Sequence, residues 1–237
     1  MKLLKYILIL LFTAEGCKEQ PLLPGAYPEK KNLTNNTGIP YDSTTSYLPD
    51  ELYGQNLNYD NNSIDYSSKT LFAFEEPLLF NYYKNKEIIR LLWNRSVYKP
   101  VLIKIEKDGE QVSITTKILN RHSEYIKTTI YFTPPGFKRD KLFIPPAKPP
   151  LQLIMNKKRQ LPENEWYTII NKLSEIKYFQ MEPSEVNDWS HVDGTDWLLE
   201  THFSGGYYYV YREDPKKDLY EFCKYLIKIS DAKNEKL

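Results

Sequence analysis

The sequence predicts an α+β protein, a mainly antiparallel sheet with two helices packed on one face. Three observations carry this. Apolar residues alternate with polar ones over several short runs between 88 and 132. Two hairpin signals punctuate such runs, Asp108-Gly109 and Gly205-Gly206. Two later segments switch from a period of two to a helical period.

The first strand is the apolar run Ile88 to Trp93. Pro100 opens the second, in which Val101, Ile103 and Ile105 alternate with Leu102, Lys104 and Glu106. Alternation of this kind places each set on its own face of a strand. Asp-Gly favours a tight turn whose central residues have positive φ, so the chain returns with Val112, Ile114, Thr116 and Ile118 on one face. A further alternating run, Tyr125 to Phe132, extends the antiparallel meander.

Six prolines between 134 and 150 break the pattern, at 134, 135, 145, 146, 149 and 150. Proline lacks the N–H a central strand must donate, so this stretch reads as a long extended loop. Leu151 to Met155 offers another strand, and Lys157-Lys158-Arg159 reads as a solvated turn. Pro162 starts a helix whose Trp166, Ile169, Ile170, Leu173 and Ile176 form one apolar stripe. Trp197 to Phe203 and Tyr207 to Arg212 make a second hairpin. Asp214 and Pro215 suit an N-cap and a first-turn position, and the last helix carries Leu219, Phe222, Cys223, Leu226 and Ile227 on one stripe.

The chain has 237 residues, with 32 basic and 31 acidic ones. That balance gives no basic stripe, so no nucleic-acid partner is expected. The 20 tyrosines, with abundant Asn and Lys, read mainly as the bias of an AT-rich genome and secondarily as a hint of a polar-aromatic surface. The organisation expected is a signal peptide over 1–16, Cys17 with a flexible tether to 70, one α+β domain over 71–231 and a polar tail over 232–237. Residues 18–70 contain no Val, Trp or Phe. Such a segment buries too little apolar surface to offset its ordering entropy. Sequons at Asn32, Asn35, Asn61 and Asn94 are no more than an Asn-rich chain supplies by chance.

The N-terminus reads MKLLKYILILLFTAEGC. Lys2 and Lys5 precede an apolar run from Tyr6 to Ala14, shorter than the roughly 20 residues a membrane-spanning helix needs. It suits a signal-peptide core. The run ends at Ala14-Glu15-Gly16-Cys17, which resembles the lipobox of bacterial lipoproteins of the relaxed Bacteroidetes type. Lys18-Glu19 resembles the charged surface-export signal of the same group. The resemblance implies removal of the leader, acylation of Cys17 with palmitate-like chains, and a place in the cell envelope at the outer membrane. A plain secretory signal with an incidental cysteine is the competing reading. With Cys17 lipidated, Cys223 has no disulfide partner.

From about Ile88 to Ser230 the chain also resembles a family of uncharacterised bacterial domains. The matching residues are Arg90 to Trp93, Pro100-Val101, Trp166, then Asp193, Gly194, Trp197 and Glu200, then Tyr207, Arg212 and Pro215, and last Cys223. Family members commonly have His where Tyr208 stands and Trp where Glu213 stands. The resemblance implies one domain and no particular chemistry.

The candidate ligand patch lies on the second hairpin: Glu200, His202, Tyr207, Tyr209, Tyr211 and Arg212. With Gly205-Gly206 as a two-residue turn, His202 stands opposite Tyr209 and Glu200 opposite Tyr211. A carboxylate, an imidazole and phenols on one face suit a glycan or polar peptide, or acid–base chemistry. They equally suit a solvated sheet face paired across strands. Arg212 is expected to pair with Glu200 or Asp193. Asp188, Asp193 and Asp196 do not fit calcium-loop spacing, His122, His191 and His202 follow no zinc spacing, and no phosphate or dinucleotide loop occurs. No cofactor, metal or catalytic residue is therefore assigned. The expected role is a non-enzymatic binding domain for a protein or glycan. A hydrolase using Glu200 and His202, and an inhibitor or immunity-type protein, are the alternatives.

Overall fold

A computed structural model describes residues 31–49, 61–80, 86–95, 98–123, 150–184, 195–213 and 215–236. Among the described residues, six strands form one sheet, β1 (Glu87–Arg95), β2 (Val101–Asp108), β3 (Gln111–Leu119), β4 (Leu153–Leu161), β5 (Thr195–Phe203) and β6 (Gly206–Glu213). Their order is β4-β3-β2-β1-β5-β6, and every neighbouring pair is antiparallel. The α+β class holds, with the meander β1–β4 and the later hairpin joined through β1 and β5. The expected strand over Tyr125 to Phe132 lies outside the described residues.

Helices α2 (Glu163–Glu175) and α3 (Lys217–Ile229) cover one face. Trp166, Ile169 and Leu173 of α2, with Leu219, Phe222, Cys223, Leu226 and Ile227 of α3, pack on Ile103, Ile105, Ile114, Leu199 and Val210. Burying one such side chain contributes roughly 1.5–3 kcal/mol, so the two stripes read from the sequence account for this layer. The start of α3 differs from the expectation. Its cap is Lys216, without a side-chain hydrogen bond, so Pro215 precedes the helix instead of occupying its first turn.

Two other local expectations are corrected. The fourth strand runs to Leu161, and Lys157-Lys158-Arg159 stands in its middle, not in a turn. Pairing with β3 supplies the backbone partners that local sequence did not reveal.

The opposite face carries a second apolar layer. Helix α1 (Asn61–Ala73) and the described parts of 31–80 form a strap across it. Tyr47, Leu48, Leu71, Phe74, Leu78 and Leu79 are fully buried against Ile88, Leu92, Leu102, Leu198 and the tyrosines of β6. The tether expected up to 70 is therefore corrected over its described part: Ser67, Ser68 and Thr70 are buried within α1. Short hydroxyls fit a tight helix–sheet contact. Thr70 bonds the Tyr66 carbonyl and Ser123, at 2.8 and 2.7 Å.

The end of α1 aims the strap at the sheet centre. Glu75 is left-handed, with φ 55°. The Glu75 N–H donates to Phe72 O and the Glu76 N–H to Leu71 O, at 2.9 and 3.2 Å. This is the Schellman pattern of bonds, which closes a helix and reverses the chain.

Candidate functional site

The β5–β6 hairpin closes on the pair Phe203 and Gly206, so the turn residues are Ser204 and Gly205. The turn lies one residue earlier than expected, which moves every partner by two. His202 faces Tyr207, Glu200 faces Tyr209, and Leu198 faces Tyr211. A shift of two preserves the side of the sheet. Glu200, His202, Tyr207, Tyr209 and Tyr211 therefore share a face as expected, although each expected partner was displaced. Arg212 pairs with Trp197 and belongs to the other face.

That shared face is covered by the strap. Glu200 is 0% exposed, and Tyr207, Tyr209 and Tyr211 are 2%, 1% and 1% exposed. His202 at the end of the strand is half-buried. The patch is thus neither a solvated sheet face nor the wall of an open cleft at Glu200.

Glu200 meets Arg90, its cross-strand partner on β1. The Arg90 Nε and Nη2 donate to the two carboxylate oxygens at 2.7 and 2.8 Å. The Tyr207 hydroxyl donates to Glu200 Oε1 at 2.9 Å. Two parallel bonds of this kind are the strongest geometry available to an arginine–carboxylate pair. Arg90 is itself 0% exposed. Its Nη1 donates to Pro77 O at 2.8 Å, and its guanidinium lies 5.8 Å from the Tyr47 ring centre. Burial disfavours the charged guanidinium, but Glu200 and Glu76 outweigh it and hold Arg90 protonated.

A second buried carboxylate completes the cluster. Glu76 Oε1 lies 2.6 Å from Lys117 Nζ on β3, and Oε2 lies 3.0 Å from Lys104 Nζ on β2 and 3.6 Å from Arg90 Nη1. Lys117 also donates to Phe74 O at 2.7 Å. Burial raises the Glu76 carboxyl, yet Lys104, Arg90 and Lys117 together hold it below the usual carboxylate range. The Tyr47 hydroxyl donates to Glu76 O at 2.7 Å. Burial, with Glu200 beside it, pushes the Tyr207 hydroxyl well above the ordinary phenol value. Burial raises the Tyr47 hydroxyl as well, so neither tyrosine is a ready proton donor at neutral pH.

Sequence reasoning named Glu200 and Tyr207 but missed Glu76, Arg90, Lys104, Lys117 and Tyr47 as their partners. A signal was present. Arg90 interrupts an apolar run, and a lone cation there requires a buried partner. The partner's identity was not legible, because Arg90 and Glu200 are 110 positions apart.

The remaining sequence candidates fall elsewhere. Arg212 does not pair with Glu200. It donates to the carbonyls of Glu182, Pro183 and Tyr211, at 2.7, 3.4 and 2.6 Å. Asp193, the other expected partner, lies outside the described residues, as do His191 and Asp188. His122 lies against the Tyr66 hydroxyl, and burial lowers its pKa. Cys223 is buried, and burial alone pushes its thiol up. Among the described residues, no group of three or more His, Cys, Asp or Glu side chains could hold a metal. A groove of about 430 Å³ runs between α2 and α3, lined by Lys172, Glu175, Glu221, Phe222 and Tyr225 among others. None of the patch residues lines it.

Fold and cluster together define an α+β protein whose sheet is sealed on one side by helices and on the other by a strap locked through buried ion pairs. No family model and no curated protein matches the chain. No described helix is long and apolar enough to cross a membrane.

Proposed function

We propose that this chain is a lipid-anchored protein of the bacterial cell envelope, held at the outer membrane through Cys17, whose domain binds a protein or glycan. The anchor reading is supported by the leader, with its two lysines, its short apolar core and the Gly16-Cys17 junction. One acyl chain binds a membrane marginally, while two or more hold it stably.

The observation that counts against the hydrolase alternative is the state of Glu200. Both of its oxygens accept bonds from Arg90, one also from Tyr207, and none of its surface meets solvent. A general base must reach the proton it takes. In the hydrolase alternative Glu200 is that base, and here its environment is that of a structural ion pair.

The test is intact mass and membrane fractionation of the expressed protein beside Cys17→Ala. The reading expects a wild-type chain that begins at residue 17 with added lipid mass, and a variant that leaves the membrane fraction. A soluble wild type, or one that keeps residues 1–17, overturns it.

A further inference from the structure

The two edges of the sheet are treated differently. At the β6 edge, the Tyr211 N–H donates to Pro183 O at 2.7 Å, Ser184 makes a parallel bridge with Tyr211, and Arg212 bonds Glu182 O. Residues 182–184 thus occupy that edge. At the other end of the sheet, β4 pairs only with β3 among the described strands. Its residues Asn156 to Gln160 are all exposed, and Ile154 is 52% exposed.

Hydrogen-bond alternation shows which backbone groups point outward. The two-residue turn between Asp108 and Gln111 makes that pair hydrogen-bonded. The bond from Leu119 N–H to Pro100 O keeps the same phase at the far end of β3. Odd-numbered residues of β3 therefore face β2, and even-numbered ones face β4. Thr116 and Ile114 pair with Lys157 and Arg159. The N–H and C=O groups of Asn156, Lys158 and Gln160 then point away from the sheet.

Over nine residues this edge carries three cations and no acid. Lys158 contacts Glu106 at 3.1 Å and Arg159 contacts Asp231 at 3.8 Å, with side chains 56% and 44% exposed. Exposed pairs of this kind contribute little, so an incoming carboxylate can replace them. A second copy of the same strand would set like charges opposite one another, which disfavours self-pairing.

We infer that the β4 edge receives an extended, acidic polypeptide segment of a partner protein, which adds to the sheet as a seventh strand. The backbone groups of Asn156, Lys158 and Gln160 give the affinity, and Lys157, Lys158 and Arg159 select acidic side chains. This deepens the binding role proposed above and rests on it.

The probe is a synthetic peptide alternating valine and glutamate, added to the purified full chain and followed by amide hydrogen exchange. Saturation with the peptide is expected to slow exchange at Asn156, Lys158 and Gln160 by at least about tenfold, and Lys157→Glu with Lys158→Glu is expected to weaken binding by a similar factor at low salt. Lys158→Pro removes one outward N–H and the exposed contact with Glu106 but no backbone bond within the sheet, so the edge tolerates it. It should keep the native circular dichroism spectrum and lose the peptide. Unchanged exchange at the three amides, or undiminished binding to natively folded Lys158→Pro, overturns the inference. So does binding to vesicles containing phosphatidylglycerol without binding to the peptide, since the cations then serve a membrane. The Cys17 mass measurement is independent of all these outcomes, so failure at the edge and failure of the anchor are told apart.

Discussion

Arg90 and Glu200 stand directly opposite each other on adjacent strands, and Arg90 donates two hydrogen bonds to the Glu200 carboxylate, at 2.7 and 2.8 Å, with no surface of either residue exposed. Desolvating two charges is costly, and only this geometry with its added partners offsets the cost. Breaking the pair should therefore do more harm than removing it. Glu200→Ala is expected to lose about 3–5 kcal/mol of unfolding free energy, and Arg90→Met with Glu200→Leu to recover most of it. Urea unfolding of the three proteins checks this. Equal loss in the single and double variants would show that the pair is net stabilising in itself.

Glu76 links stability to pH. Its folded carboxyl titrates below the ordinary glutamate value of 4.5 because Lys104, Arg90 and Lys117 outweigh the burial that raises it. The folded state then binds fewer protons than the unfolded one near that value. The contribution is full above about pH 4.5 and is lost as pH falls through the lowered folded value. Urea midpoints measured from pH 7 to pH 3 should fall less steeply for Glu76→Gln than for wild type. The variant should also be less stable at pH 7, where Lys104 and Lys117 lose their carboxylate.

Helix α1 belongs to the folded unit, since Leu71 and Phe74 are 0% exposed in the second apolar layer. Leu71→Ala is expected to cost about 2–5 kcal/mol, the range for a buried leucine whose cavity does not collapse. A change below about 0.5 kcal/mol, as for a surface site, would return α1 to the tether. Denaturant unfolding of the single variant is enough.

Cys223 packs among Leu219, Phe222 and Leu226 on α3, and burial pushes its thiol above its ordinary value. The reactive species is the thiolate. Native protein carrying Cys17→Ala should resist iodoacetamide at pH 8 and react once unfolded in urea, as read by intact mass. Labelling of the native state at a rate near that of a free thiol would contradict the burial.

Much of the layout was legible locally. Alternation over Val101 to Ile105 and over Val112 to Ile118 named the strands and the residues that face α2 and α3. The helical stripes through Trp166 and Leu219 named the layer that covers them. These readings succeed because backbone geometry alone decides which side chains share a face. Even the misplaced turn at Gly205-Gly206 left Glu200, His202 and the three tyrosines on one side, since a strand repeats every two residues.

Burial of the patch was decided elsewhere. Glu200, Tyr207 and Tyr209 read the same whether a face meets water or protein, because polar residues suit water alone or each other in its absence. The choice was made by the strap, which places Tyr47 and Glu76 against the sheet, and by Arg90, brought beside Glu200 across 110 positions of chain. An ion pair stabilises a buried position only when both partners arrive. The sequence by itself therefore determined which residues could point the same way, and only the tertiary structure decided that they would neutralise one another in the dark of the core.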